Sequence, residues 1–296
     1  QNVDLAALDA IVGRGGLMRG IEGGTYIVNE NMLKDLHSCQ YGYHVCNLGG
    51  ILANEIGNEL GKPAYVVDPP VVNEVADVAK LSGHPDFPRR ALFHALNQKA
   101  IAKRFAEETN RPYESLNLIV AHMGGGTSVG CHRQGKVVDV NNGLEGEGAF
   151  TGERCGGLTA LDVVKATLSG QWGTTYAEIR HELCMKSGLV GHTGTNDGRE
   201  ISRRIAEGDK QAELAYRTMA YQVAKEICAL AAPLQGKVDA ILLTGGFAYD
   251  KMLMGWIEEY VRFLAPVHVY PGEDEMLALS QGAMRVLTGK ETAKVY

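Results

Sequence analysis

One stretch concentrates residues able to do chemistry: LNLIVAHMGGGTSVGCHRQGKVVDVNNG, positions 116 to 143. An apolar run, Leu116 to Ala121, delivers His122, and Gly124, Gly125 and Gly126 follow. Glycines here add no burial to a core and cost backbone entropy. Lacking a Cβ, they let main-chain N–H groups close around an anion. Three glycines by themselves also suit a plain tight hairpin. His122 at the strand end favours the phosphate-binding reading. A second candidate is Val238 to Leu243 running into Thr244-Gly245-Gly246, with a helix expected from about Tyr249. A helix N-terminus carries roughly half a positive charge and free N–H groups, so a phosphate or an adenosine edge fits there. That dipeptide reads equally as a structural turn. No G-x-x-x-x-G-K-[ST] occurs, and Gly13-x-Gly15 is not completed by a third glycine, which disfavours Walker-type and Rossmann binders.

Other polar residues have two readings each when taken singly. Arg154, beside Glu153 in a glycine-rich loop, reads as a surface ion pair. His94, in the first turns of an amphipathic helix, reads as a core histidine. Asp68 caps the Pro69-Pro70 turn, and Asp197 suits the N-cap of a helix from about 198. His44 sits just before a helical turn; Glu145 and Glu147 look like a solvated loop.

The elements that must position these groups alternate between strand and helix. Residues 3 to 9 suggest the end of a short helix, Ala10 to Val12 a strand, and Thr25 to Val28 a second strand. Asn29 caps a helix to about His37, and apolar residues at 45, 48, 52, 56 and 60 give a helical period that Gly61 and Pro63 end. Ala64 to Val67 is a strand stopped by Asp68-Pro69-Pro70, and Arg90 to Asn110 a long helix. Ser128 to His132 and Lys136 to Val140 pair across the turn Arg133-Gln134-Gly135. Helices are expected over about 159–169, 175–186, 198–206, 209–232 and 274–288, with a short strand at Val267 to Val269. The alternation is that of an α/β architecture.

Composition bounds the function classes. At 296 residues the chain suits two domains, and its 45% hydrophobic and 22% charged content is that of a globular protein with ample core. A net charge of −6, with only Arg89-Arg90 and Arg203-Arg204 as basic pairs, leaves no footprint for nucleic acid. No apolar run reaches membrane-spanning length. Six scattered cysteines without a C-x-x-C pair suit reduced thiols and a cytoplasmic setting. His181 with Cys184 lacks the second pair that a metal site needs.

Several motifs occur in one order: VGRGG at 12–16, YVVDP at 65–69, FHALNQKA at 93–100, AHMGGGTS at 121–128, TGER at 151–154, TNDGRE at 195–200 and LTGGF at 243–247. Together they resemble the acetate/butyrate kinase family of the actin–Hsp70–sugar kinase superfamily, its butyrate kinases in particular, along the whole chain. The resemblance implies two actin-like (ribonuclease H-like) α/β domains with a nucleotide cleft between them. The first would be residues 1–68 with 276–296 and incomplete, the second 69–275. It implies reversible phosphoryl transfer between ATP/ADP and a short-chain carboxylate with Mg²⁺, and a homodimer or higher homo-oligomer. By the same match Arg14 is substrate-side, Arg154 stabilises the transferring phosphoryl group, and His94 acts at the transition state. His122 opens the phosphate hairpin of Gly124, Gly125 and Gly126. Asp68 is the active-site aspartate, here a positioning or Mg²⁺-shell group. Asp197 and Arg199 contact the nucleotide, and Gly245, Gly246 and Phe247 form the adenosine loop. Glu273 and Glu275, around Asp274, resemble the metal-linked acidic group; His44, which no motif covers, is read as lining the acyl pocket.

The physics agrees with such a reaction. A metaphosphate-like transition state needs cations and N–H donors around its equatorial oxygens. Arginine meets carboxylate and phosphate oxygens two at a time. A carboxylate of pKa about 4 to 5 is already a nucleophile at neutral pH, so no general base is required. Two other readings stay open: a non-catalytic ATP-binding module, and a sugar kinase with Asp68 as base. The acid itself, whether acetate, propionate, butyrate or a branched one, is not legible, because a methylene is worth only about 1–3 kcal/mol. The chain departs from the family in lacking its N-P-G-S-T-S-T-K hairpin, from which an absent N-terminal segment, exposed sheet edges and little kinase activity of this chain alone are expected. Gly152 and Cys155 replace the proline and serine common in the family.

Overall fold

A computed structural model describes residues 4–296. In chain order the strands are β1 (Ile11–Gly13), β2 (Thr25–Ile27), β3 (Ala64–Val67), β4 (Asn117–Met123), β5 (Thr127–Arg133), β6 (Lys136–Val140), β7 (Ala240–Gly245), β8 (Val267–Pro271) and β9 (Lys294–Val295). The helices are α1 (Glu30–Ser38), α2 (Asn47–Leu60), α3 (Asp77–Lys80), α4 (Ala95–Glu108), α5 (Ala160–Leu168), α6 (Tyr176–Met185), α7 (Gly188–Thr193), α8 (Gly198–Ala206), α9 (Lys210–Leu230), α10 (Lys251–Val261) and α11 (Glu275–Leu287). The chain divides into two compact units. Unit 1 holds Gln1–Val75, Ala91–Ala100 and Asp274–Tyr296; unit 2 holds Ala76–Arg90 and Ile101–Glu273. Residues 69–75 and 91–100, His94 among them, therefore fall in unit 1.

Unit 1 carries a four-stranded sheet in the order β1-β3-β2-β9. Strand β3 lies parallel to β1 and antiparallel to β2, and β9 runs parallel to β2. Close backbone approach sets α2 on β1: a Cβ at Gly13 would lie 2.0 Å from the Gly49 carbonyl oxygen, so only glycine fits. On β3, Val67 packs with Leu96, Ala278 and Leu279, which seats α11 and the start of α4.

Unit 2 carries a five-stranded sheet in the order β6-β5-β4-β7-β8, antiparallel from β6 to β4 and parallel from β4 to β8. Side chains alternate across the pleat. Ile119, Ala121 and Met123 of β4 and Ile241 and Leu243 of β7 join α9 and α10 in one core. Leu118, Val120, Ala240 and Leu242 face the other way, against Ile101, Phe105 and Ala106 of α4. Both faces are covered, which is why these strands read as unbroken apolar runs. Gln134 and Gly135 take positive φ (50° and 84°), the hairpin turn expected between β5 and β6.

Helix α4 begins at Ala95 rather than near Arg90. The Phe93 N–H is spent on the Pro70 carbonyl, 3.3 Å away, at a bend in the chain, and His94 precedes the helix. Helix α7 and strand β9 lie where no element was expected. No helix of the described residues is long and apolar enough to cross a membrane.

Candidate functional site

Unit 2 places one group of candidates on the ends of β4, β5 and β7. His122, 2% exposed, sits opposite Ser128 on β5 and beside Thr244 on β7. Its Nε2 stands 3.5 Å from a carboxylate oxygen of Glu273. The three glycines form the β4–β5 tip, where Gly124 N–H donates to the Gly126 carbonyl at 2.9 Å. Gly126 is obligatory, because a Cβ there would fall 1.5 Å from Arg154 Nη1 and 2.8 Å from the Gly143 carbonyl oxygen. Gly245 has φ 95°, and a Cβ on it would strike the Met123 carbonyl oxygen at 2.3 Å. Gly246 has open space where its Cβ would be. The two glycine turns thus approach each other within one unit: Gly245 is fitted against Met123, the residue before the hairpin.

Arg154 is not the surface ion pair that its neighbour Glu153 suggested. Its Nη1 donates to the Gly143 carbonyl at 2.8 Å, and its guanidinium lies under Gly126. Its Nε is buried with no hydrogen-bond partner. Burial pulls its pKa below the ordinary arginine value, with Cys184 and Glu153 acting in the opposite sense. A buried guanidinium N–H without an acceptor is costly; an anion brought to the hairpin would satisfy it. Glu153 turns to Gly125, where a Cβ would lie 3.5 Å from its carboxylate, and accepts from Asn196 Nδ2 at 2.7 Å. Motif reading passed over Glu153, although the TGER segment contains it.

Two readings of the second turn need correction. Helix α10 begins at Lys251, after a short 3₁₀ turn over Gly246–Tyr249, and its N-terminal N–H groups are already taken: Asp250 accepts from Met252 N and Leu253 N at 2.9 and 3.1 Å. No free helix N-terminus therefore faces a phosphate there. Phe247 points into the core, 8% exposed, its ring 6.3 Å from that of Tyr216 and in contact range of Gly198 and Gly152. It supports the loop from behind. At TNDGRE, Asp197 is the N-cap of α8 through Arg199 N at 2.9 Å, and the Arg199 fork grips the same carboxylate at 3.0 and 2.8 Å. Glu145 and Glu147 are exposed, as a solvated loop implies, and they also pair with Arg90 and Arg89 and hold Asn142.

Unit 1 holds the remaining candidates. Arg14, just past β1, pairs with Glu275 of α11 at 3.0 Å. Asp68, 3% exposed, leaves β3 at φ 38° and accepts the Gly24 N–H at 2.7 Å, while its own N–H donates to the Gly24 carbonyl. His44 is tied to the start of α2: its Nδ1 accepts the Cys46 N–H at 3.2 Å and lies 2.9 Å from the Cys46 sulfur. Burial pushes the Cys46 thiol pKa up, and nearby Arg14 opposes it. Among the described residues no three His, Cys, Asp or Glu side chains are gathered to hold a metal ion. Mg²⁺ commonly takes only one or two carboxylates along with phosphate oxygens. Asp68 in unit 1 and Glu273 in unit 2 are each carboxylates of that type; Glu275 is already neutralised by Arg14.

The chain matches the acetokinase family over residues 86–257. It is 53% identical over 296 residues to butyrate kinase 2 of Clostridium acetobutylicum, covering 100% of this chain and 83% of that protein. This chain belongs to the acetokinase family. A probable butyrate kinase of Clostridium botulinum is 52% identical over the same share of each chain. The fold of this acetokinase chain is the actin-like α/β fold of known acetate kinases. The enzyme of Porphyromonas gingivalis superposes with TM-score 0.81 at 22% identity, over 94% of this chain and 78% of that one. That of Entamoeba histolytica gives 0.76 at 20%, over 94% and 80%.

Proposed function

We propose that this acetokinase-family chain transfers the γ-phosphoryl group of ATP reversibly to butyrate or a related short-chain acid. A carboxylate oxygen bonds to the γ-phosphorus, the bond from that phosphorus to the bridging oxygen breaks, and ADP leaves with the electron pair. No proton moves, because the acceptor is ionised at neutral pH. The observation that carries this reading is the half-buried Arg154, its Nε buried without a hydrogen-bond partner, placed under a glycine hairpin that His122 opens.

In this reading the hairpin N–H groups and His122 hold the phosphates, and Arg154 meets the charge that spreads over the equatorial oxygens in the transition state. The exposed backbone at Gly246 takes the adenosine, with Asp197 and Arg199 as the further nucleotide contact. Arg14 orients the acceptor carboxylate, His94 serves the transferring group, and His44 belongs to the acyl end. Asp68, Glu273 and Glu275 are the carboxylates that would hold Mg²⁺, which when bound would supply charge neutralisation on phosphate oxygens. Asp68 positions rather than abstracts a proton. The butyrate preference follows the relatives' names.

The test is ATP-dependent acyl hydroxamate formation by the full-length protein, screened over C2 to C6 straight and branched acids. Butyrate or a neighbouring acid should give the highest kcat/KM, with adjacent chain lengths separated by roughly 10-fold or more, the worth of one methylene in an apolar pocket. ATP turnover with a sugar hydroxyl and none with any acid would overturn the proposal.

A further inference from the structure

The TGER segment carries a second polar residue that the reaction scheme leaves unused. Thr151 is 2% exposed, and its hydroxyl makes every hydrogen bond a hydroxyl can make. It donates to the Gly125 carbonyl at 2.6 Å. It accepts the N–H groups of Glu153 and Arg154 at 3.2 and 3.1 Å. The main chain closes the same turn, since Thr151 N–H donates to the Arg154 carbonyl and Leu189 N–H to the Thr151 carbonyl. One oxygen therefore joins the tip of the glycine hairpin to the backbone of the arginine lying beneath it, across 26 residues of sequence.

We propose that Thr151 is a positioning residue: its hydroxyl fixes the Gly125 turn and the Arg154 loop in the one geometry that serves phosphoryl transfer. The inference rests on the kinase reading above and adds a residue to it. Gly125 is exposed and contributes no side chain, so little besides this bond orients its peptide. Removing the hydroxyl leaves the Gly125 carbonyl and two N–H groups to find other partners, and both ends of the anion site move. A misplacement on the ångström scale costs transition-state contacts far more than ground-state binding.

The experiment compares Thr151→Val, Thr151→Ser and wild type, all in the full-length protein, for ATP-dependent acyl hydroxamate formation, with Arg154→Ala as reference. Thr151→Val keeps the shape and loses the hydroxyl; kcat should fall about 10- to 100-fold while KM for the carboxylate changes less than about 3-fold. Thr151→Ser keeps the hydroxyl and should retain at least about a third of wild-type kcat. Wild-type kcat in Thr151→Val overturns the proposal. So does an equal loss in Val and Ser, which would assign the effect to packing. Should Thr151→Val fail to fold, Thr151→Ser decides alone: kcat below about a tenth of wild type contradicts the proposal. Inactive wild type would instead sink the kinase reading, which keeps the two failures distinct.

Discussion

At the residue scale the site depends on where a Cβ is forbidden. Gly126 and Gly246 look alike in the sequence, yet their surroundings differ. Gly126→Ala would drive a methyl into the Arg154 guanidinium and the Gly143 carbonyl. We expect its kcat to drop by about 100-fold or more, the scale of losing one preorganised charge donor, with a lowered Tm in a thermal melt. Gly246→Ala meets nothing within 4 Å. Its Tm should match wild type while its KM for ATP rises, because the methyl occupies space assigned to the nucleotide. A low Tm in Gly246→Ala, or unchanged kinetics in Gly126→Ala, would contradict these assignments. The motifs singled out Arg154, His122 and the glycines. The Arg154 surroundings were not, since its partner is the carbonyl of Gly143, and a backbone acceptor 11 residues away leaves no mark in a sequence.

At the scale of elements, local signals were read well where a cap or a turn residue carried them. Asn29 caps α1 through Met32 N, and Asp197 caps α8, as their positions before apolar periodicity suggested. The start of α4 and the beginning of α10 were misplaced because tertiary bonds decided them: Phe93 N–H goes to Pro70, and Asp250 occupies the α10 N-terminus. The α8 cap has a pH signature. The Arg199 fork, helped by its own N–H, holds the Asp197 carboxyl at about 2, below its ordinary 3.8. A depressed folded value means stabilisation that is present above about pH 4 and lost as pH falls toward 2. The stability gap between wild type and Asp197→Asn, followed by urea denaturation, should be constant near neutrality and close between pH 4 and 2. A gap unchanged at pH 2 would remove the ion pair from the account.

For the whole molecule, the α/β class and the two-unit division followed from alternating strands and helices and from chain length. The borders inside the chain did not: the return of residues 276–296 came only with the resemblance, and Ala91–Ala100 also falls in unit 1. Contacts such as Val67 with Leu96 and Ala278 decide that, and nothing in the local pattern of either segment announces it. The acidic segment shows the same limit. Glu273 faces His122 and Glu275 faces Arg14, two neighbours in sequence serving different partners.

The central claim is that Arg154 stabilises phosphoryl transfer to a carboxylate rather than merely holding the fold or the nucleotide. Its most direct test is Arg154→Ala in the full-length protein, with ADP binding measured by calorimetry and acyl hydroxamate formation measured with butyrate. The account predicts hydroxamate formation reduced by about 10³-fold or more, as for arginines at phosphoryl-transfer sites, with ADP affinity within about 10-fold of wild type. Hydroxamate formation at the wild-type rate, or ADP binding and catalysis lost in equal measure, would contradict it.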